Sequence, residues 1–237
     1  MDSTLKVSKY LFNDFKKGMI IFYGIILAIL MLMAILYFQV ISRGDSKAMF
    51  GGFGFSAFIF IFVSGLNCFK ANFKFLQANN ISRKRFYFAN IITLISISAF
   101  MALVDTTMTY VIKLVMPYEN VVEQLYRNDV FFSAFMWSFA LFALAASTGW
   151  CITMLYYKCD KLMKTIISFA PVLMVILLVM LNSLTKGALG TAILKSLTVA
   201  LGFANNSPNI ASLTFFITAA LAFGLCYLLI RRIYIKD

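Results

Sequence analysis

The feature that most constrains this chain is a series of long apolar blocks with almost no charge. The first, from Gly18 to Val40, reads GMIIFYGIILAILMLMAILYFQV. A helix needs about 20 consecutive apolar residues to cross the hydrocarbon core of a bilayer. The mean hydropathy of +0.89, with 26 Phe and only 13% charged residues among 237, exceeds what a soluble core of this size buries. The chain is therefore predicted to be an integral membrane protein.

The apolar blocks predict six membrane-spanning helices. A β-barrel would instead show short segments of alternating polarity. The first block is longer than a signal-peptide core and is not followed by a convincing small-x-small cleavage site, so we interpret it as a retained span. The fold class is thus an all-α integral membrane protein with a single transmembrane domain over residues 1–237. The predicted spans are 18–41, 50–69, 87–116, 130–157, 164–183 and 208–231.

The basic residues lie mostly in the connections between spans, and unevenly. The formal net charge is +12, and cytoplasmic connections carry the excess of Lys and Arg. Fifteen fall on one side: Lys6, Lys9, Lys16, Lys17, Lys70, Lys74, Arg83, Lys84, Arg85, Lys158, Lys161, Lys164, Arg231, Arg232 and Lys236. Six fall on the other: Arg43, Lys47, Lys113, Arg127, Lys186 and Lys195. Both termini are therefore predicted in the cytoplasm, and charge confined to the connections argues against a nucleic-acid partner.

Three segments outside the spans are predicted to form additional helical structure. Residues 1–17 place apolar and lysine side chains on opposite arcs, which predicts an amphipathic helix in the inner membrane interface. Residues 117–129 predict a short external helix beginning at Pro117. Residues 183–207 are apolar but interrupted by glycines, which favours an external re-entrant helical hairpin. A seventh span there is the competing interpretation, and it would move the basic carboxyl terminus outside.

Motifs for chemistry are mostly missing from the sequence. It has no GxxxxGK[ST] phosphate-binding loop and no His, which argues against zinc proteases and against a Ser–His pair. The four Cys residues lie in or beside apolar blocks without CxxC spacing, so neither disulfides nor a metal site are expected. The chain is not predicted to be an enzyme.

A few residues within or beside the spans are candidates for a gate or a cavity. Asp105 is the one ionisable residue deep inside a predicted span. Such a carboxylate faces protein or water and marks a functional site, or it is simply hydrogen-bonded to Thr106 or Thr109. Pro171 is expected to kink or loosen the fifth span. The glycine candidates are Gly187 and Gly190, in the re-entrant segment.

The connection between the second and third spans, residues 70–85, is longer than a turn requires. It leads into the stretch QANNISRKRFYFAN, from Gln77 to Asn90. Positive-inside anchoring explains Arg83 to Arg85, but it does not explain the mixture of apolar and amide side chains that precedes them. That mixture suits a short helix lying against a protein surface.

This stretch, with the plan of the whole chain, resembles the permease subunits of type-two ATP-binding-cassette exporters, in their small stand-alone bacterial form. The resemblance is sharpest at FLQANNISRKRFYFANI, from Phe75 to Ile91, which is similar to the family's coupling helix and its entry into the third span. Many relatives carry Gly where Asn79 or Asn80 stands. The large external domain of some relatives has no counterpart in this chain.

The resemblance implies a function and a set of partners. The ATPase would be a separate subunit that binds ATP and Mg²⁺, so this chain would hold no cofactor. A second permease copy, identical or different, would complete a dimer in the bacterial cell membrane, with the first and fifth spans lining the path and the segment 183–207 forming the outer gate. The residues expected to contact the ATPase are Gln77, Asn79, Asn80, Ile81, Ser82 and Arg83.

The cargo and two other functions stay open at this point. An aromatic lining rich in Met, with 13 Met in the chain, suits hydrophobic or amphipathic cargo such as a peptide, with lipids and drugs as alternatives. An ion-coupled secondary transporter centred on Asp105 is the second interpretation. A membrane subunit of a vitamin importer, which also needs a separate ATPase, is the third.

Overall fold

The computed structural model describes residues 2–42, 50–51, 53–127, 129–231 and 233. Nine helices account for most of these residues: α1 (Asp2–Ser42), α2 (Phe53–Asn67), α3 (Lys70–Ala78), α4 (Arg83–Lys113), α5 (Val121–Tyr126), α6 (Phe131–Lys158), α7 (Lys161–Leu184), α8 (Ala188–Ala200) and α9 (Pro208–Ile230). The β-structure within the described ranges is one parallel pairing of two-residue strands, β1 (Phe50–Gly51) with β2 (Tyr118–Glu119).

Six of the helical segments are long and apolar enough to cross a membrane, which agrees with the predicted number of spans. They are Ser3–Gln39, Gly54–Ala78, Arg83–Lys113, Phe131–Lys158, Lys161–Leu184 and Pro208–Ile230. The segment that competed as a seventh span forms α8, which has 13 residues. A helix of that length rises only about 20 Å, too little to span the hydrocarbon core. The chain is a multi-pass, helical membrane protein.

The amino-terminal region differs from the sequence expectation. Residues 1–17 were expected as a separate interfacial helix, but α1 is one continuous helix of 41 residues from Asp2 to Ser42. Its first turns are already packed, because Val7 and Leu11 are buried in the main core. Ser8 Oγ also lies 3.0 Å from Thr93 Oγ1 of α4. Contact with α4 therefore extends the helix through the boundary that the charge pattern suggested.

The core is built around α6, which packs against α2, α4 and α9. α2 and α6 approach each other closely: a Cβ added at Gly65 would lie 2.5 Å from the carbonyl oxygen of Ala146, and one added at Gly149 would lie 2.5 Å from that of Phe62. Only residues without a Cβ permit so close a backbone approach. Trp150, fully buried, fills the core one residue further along α6.

Side-chain contacts give the helix directions. α1 and α4 run in parallel, because Ser8 meets Thr93 and, further along both helices, the Tyr23 hydroxyl donates to the Met101 carbonyl at 3.0 Å. α4 and α9 run antiparallel, since Tyr87, near the start of α4, donates to the carbonyl of Phe223, near the end of α9. α6 runs with α9. These directions are the ones required if each span reverses the last.

One end of the bundle is covered by a small cap. Strand β1, before α2, pairs with β2, which follows α4. The short helix α5 begins at Val121, where the Asn120 side chain accepts the Glu123 backbone N–H at 2.7 Å, so the start expected at Pro117 is four residues too early. Lys113 Nζ lies 2.7 Å from Glu123 Oε2 and also pairs with Asp129. These contacts tie the end of α4 to the connection before α6.

Helices α7 and α8 stand apart from the core. None of their residues is buried, although α7 is the fifth apolar span. α7 is fixed near its start by the Tyr156 hydroxyl, whose oxygen lies 2.5 Å from Ser168 Oγ, and at its end by the turn into α8. The segment 183–207, expected as a re-entrant helical hairpin, contains α8 and a short 3₁₀ helix, Phe203–Asn205, between the end of α7 and the start of α9.

Candidate functional site

The connection between α2 and α4 forms a short helix lying against the core. In α3, Asn72, Phe73 and Leu76 share the buried face, at the spacing that one side of a helix requires. Phe75 is on the other side and 51% exposed. The residues 70–85 predicted as a coupling-helix segment therefore contain a real amphipathic helix, Lys70–Ala78.

The end of α3 is a Schellman turn built around Asn80. The Ile81 N–H donates to the Leu76 carbonyl at 3.0 Å, and the Asn80 N–H donates to the Gln77 carbonyl at 3.0 Å. Asn80 has φ 59°, the left-handed conformation that such a turn needs at this position. Gly adopts it most readily and Asn comes next. The turn thus explains, in physical terms, why Gly and Asn suit this position.

Side chains of the predicted contact residues brace this turn. Gln77 Nε2 donates to the Ile81 carbonyl at 2.7 Å, and Asn79 Nδ2 donates to the Phe75 carbonyl at 2.8 Å. Ser82 is the N-cap of α4, its hydroxyl accepting the Arg85 N–H, as expected for a serine at a helix start. The structure brings all six predicted residues into one turn, with Asn79, Asn80 and Ser82 exposed and Gln77, Ile81 and Arg83 half-buried.

An aromatic cluster fixes α3 to two spans. Phe73 of α3 lies 5.0 Å from Phe69, before α3, and 5.3 Å from Phe86 of α4, measured between ring centroids. Phe69 in turn lies 5.4 Å from Tyr157 of α6. The three phenylalanines are fully buried. α3 is therefore packed against the ends of both α4 and α6.

The exposed surface beside the turn carries an aromatic pair that the sequence did not reveal. The rings of Tyr10, in α1, and Phe75 stack at 5.4 Å with 21° between their planes, and both side chains are substantially exposed. Asn72 Nδ2 also lies 3.4 Å from Asp14 Oδ2 of α1. Neither contact has a local sequence signal, because the two partners are about 60 residues apart and only tertiary packing joins them.

Positive charge surrounds this turn. Thirteen of the fifteen basic residues assigned to this side lie within the described part of the chain, and Arg232 and Lys236 lie outside it. On the opposite side, Arg43 and Lys47 lie outside the described residues. Lys70, Lys84 and Arg85 are exposed next to the turn itself. This surface is therefore electropositive around an apolar and amide centre, which suits a protein surface with acidic groups.

The candidate gate residues are not in one place. Asp105 is in α4, inside the bundle, where its side chain lines two small cavities, and a Cβ added at Gly54 would lie 3.5 Å from Asp105 Oδ2. Thr106 donates to the Ala102 carbonyl of its own helix at 2.8 Å rather than to Asp105. Pro171 is exposed in the middle of α7, and the helix continues through it.

Gly187 and Gly190 meet at the turn between α7 and α8. Gly187 has φ 88°, a conformation that favours glycine, and its N–H donates to the Asn182 carbonyl at 2.9 Å. The Gly190 N–H donates to Asn182 Oδ1 at 2.8 Å. A Cβ at Gly190 would lie 2.8 Å from that same oxygen. Asn182, not singled out from the sequence, is therefore the residue that holds this turn.

Metal ligands are not gathered anywhere within the described ranges: no group of three or more Cys, Asp or Glu side chains there could hold an ion. The four cysteines are free thiols. Comparisons of this chain with protein-family models, with curated proteins and with solved structures find no match.

Proposed function

We propose that this chain is the transmembrane subunit of an ATP-binding-cassette exporter, with α3 and the following turn as the contact for a separate ATPase. The observation that carries the proposal is the turn at Asn80: an amphipathic helix ends in an exposed, hydrogen-bonded turn surrounded by basic residues. An anchoring segment needs only its positive charge. A built turn with the apolar side chain of Phe75 exposed beside it suits docking.

The proposed mechanism uses the rigidity of this contact. Nucleotide binding by the ATPase subunits would draw the α3 helices of two permease copies together. Because Phe73 packs against Phe86 of α4, that movement would reach the third span directly, and through Phe69 and Tyr157 it would reach the fourth. Closure at the cytoplasmic end would then open the outer end, where α8 forms the proposed gate.

The second permease copy is proposed to pack against α7. An isolated apolar helix is stable in lipid, but α7 lacks a buried residue over 24 positions while α6, of similar length, is largely buried. α1 also presents a broad exposed apolar face. Two copies meeting through α1 and α7 would enclose a path between them. The cargo in this proposal is hydrophobic or amphipathic, with peptides included.

The docking proposal is tested with two aspartate variants of matched exposure. Phe75 of α3 is 51% exposed and Leu125 of α5, at the opposite end, is 43% exposed. The tagged chain is purified from its native membranes, and the ATPase that accompanies it is identified by mass spectrometry and by activity. We expect Phe75→Asp to abolish recovery of the ATPase and Leu125→Asp to preserve it.

Two results would overturn the docking proposal. One is wild-type recovery of the ATPase with Phe75→Asp. The other is transport that continues without any ATPase and stops when the proton gradient is dissipated. That second result would favour the ion-coupled transporter, for which the specific observation is the position of Asp105 inside the bundle beside two cavities.

A further inference from the structure

An apolar groove runs between α1 and α4 near the capped end of the bundle. Its volume is about 400 Å³ and its walls are almost wholly apolar, with Leu30 and Met31 on one side and Met108, Val111 and Ile112 on the other. Pockets for small organic ligands fall in the range of about 300–1,000 Å³. The groove opens to the surface of the bundle, so a chain-like molecule can enter it from the lipid.

A half-buried carboxylate, that of Asp105, lies beside this groove. Asp105 lines a second cavity, of about 10 Å³, whose walls include Leu30, Met108 and Ile112, the same three side chains that line the groove. These three side chains therefore belong to the wall between the two spaces. Met108 is unbranched and can change rotamer readily. A movement of Met108 would bring the groove and the cavity at Asp105 closer to connection.

Asp105 has no partner of its own among the residues that the structure describes, for it makes neither a hydrogen bond nor an ion pair there. The nearest basic side chain along α4, Lys113, is paired with Glu123 and Asp129. The neighbouring Tyr23 hydroxyl donates elsewhere, to Met101. A carboxylate removed from water without a partner is costly, so the site favours a cation that would neutralise it.

The size of the inner cavity restricts the cation. A volume of about 10 Å³ accommodates one group the size of a water molecule. An ammonium group, –NH₃⁺, fits that limit, whereas a trimethylammonium group is far larger. The rings of Tyr23 and Tyr118 line the same cavity, and aromatic rings attract cations.

We propose that the groove and Asp105 form one binding site for single-chain primary alkylamines, with the hydrocarbon chain in the groove and the ammonium group against the carboxylate. This inference rests on the proposed function in one respect: it names primary alkylamines as the class of cargo. The binding site itself is argued independently of the ATPase. Neither part of the site suffices alone. The groove supplies apolar contact and the carboxylate supplies the charge selection.

The test uses the full chain, purified without an ATPase and placed in nanodiscs of zwitterionic lipid. Binding of radiolabelled dodecylamine is measured by equilibrium dialysis, and binding to empty nanodiscs is subtracted. We expect saturable binding that Asp105→Asn weakens about tenfold or more, since a desolvated charge pair is lost. Dodecanol should bind both proteins equally. Val111→Trp, which fills the groove, should abolish saturable dodecylamine binding.

Asn matches Asp in shape, and Asp105 gives up no hydrogen bond on substitution, so the variant is expected to remain monodisperse in size-exclusion chromatography. Equal dodecylamine affinity in wild type and Asp105→Asn would overturn the proposal and leave the groove a site for lipid chains. The proposal would also be overturned if the wild-type protein bound dodecyltrimethylammonium as tightly as it binds dodecylamine. Since no ATPase is present, these results are independent of the docking test with Phe75→Asp.

Discussion

Ile81 and Leu76 are joined across the end of α3 by a backbone hydrogen bond of 3.0 Å, from the Ile81 N–H to the Leu76 carbonyl. Both side chains contribute to the main core, Leu76 as a buried member and Ile81 packed against it. Hydrophobic contact between these two positions commonly accompanies a Schellman turn. The turn that presents the proposed ATPase contact is therefore held from inside the protein.

We expect Asn80→Gly to stabilise the protein and Asn80→Val to destabilise it. Asn80 has φ 59°, and this conformation costs a residue with a Cβ about 1–2 kcal/mol, with β-branched residues the least suited to it. Thermal unfolding followed by circular dichroism in detergent checks the order Gly, Asn, Val. Asn79 has φ −90°, so Asn79→Gly serves as the control and should bring no gain.

Substitution of Phe73 and of Phe75 by Ala should affect different properties of the protein, stability in the first case and ATPase binding in the second. Phe73 is 0% exposed and Phe75 is 51% exposed. We expect Phe73→Ala to lower the free energy of unfolding by about 3–5 kcal/mol, as buried Phe→Ala substitutions do. Phe75→Ala should change stability little and weaken ATPase recovery. Equal losses of stability in the two variants would contradict the buried and exposed faces assigned to α3.

Gly65→Ala and Gly149→Ala are each expected to destabilise the protein. A Cβ at either position would lie 2.5 Å from a backbone carbonyl oxygen of the facing helix, so α2 and α6 would have to separate. Overpacking of this kind costs about 1–3 kcal/mol. Midpoints of thermal unfolding in detergent provide the measurement.

The matched controls for these two glycines are Gly24→Ala and Gly224→Ala. Both are helical positions where an added Cβ meets no atom within 4 Å. Because Ala favours the helix by about 1 kcal/mol over Gly, these two variants should be neutral or slightly stabilising. Stability of Gly149→Ala equal to that of Gly24→Ala would contradict the close contact between α2 and α6.

These glycines show where the sequence was informative and where it was not. Gly24 with Ala28, Ala145 with Gly149 and Ala220 with Gly224 have the same four-residue spacing. The Gly149 position is in close backbone contact, but Gly24 and Gly224 face open space. Spacing shows which residues share one face of a helix, but it does not show what packs against that face. Only the tertiary structure shows which of these glycines contact another helix.

Cysteine cross-linking tests the proposed second copy at α7. In a variant without native cysteines, Met174→Cys places a thiol on exposed α7, and Leu228→Cys places one on an exposed face of α9. We expect oxidation in membranes to give covalent dimers with Met174→Cys or its α7 neighbours and none with Leu228→Cys. Absence of cross-links along all of α7 would contradict this interface.

The sidedness of the protein is tested in the same cysteine-free background. An impermeant maleimide added to intact cells should label Leu125→Cys but not Phe75→Cys, because the excess of basic residues predicts the Phe75 end in the cytoplasm. Both side chains are exposed, so permeabilised cells should show labelling of each. Labelling of Phe75→Cys in intact cells would contradict the predicted orientation and place the Phe75 end outside the cell.

The six spans were predictable because each contains a long apolar run with few charges, a property of local sequence alone. The position of the turn between α3 and α4 was also predictable, from amides and charges that span anchoring did not explain. The extension of α1 through residue 17 was not predictable, since it depends on Ser8 meeting Thr93. The pairing of Tyr10 with Phe75 and the closeness of Asp105 to the groove likewise depend on packing between distant segments.

The parallel pairing of β1 with β2 has a consequence for the order of events during synthesis. Phe50 can pair with Tyr118 only after Tyr118 has been synthesised. At translation speeds of about 5–20 residues per second, the intervening segment of roughly 70 residues takes about 4–14 seconds to synthesise. During that interval the second span is made while the partner strand β2 is still missing. A fragment of the first two spans expressed alone would therefore leave the β1 backbone without this pairing.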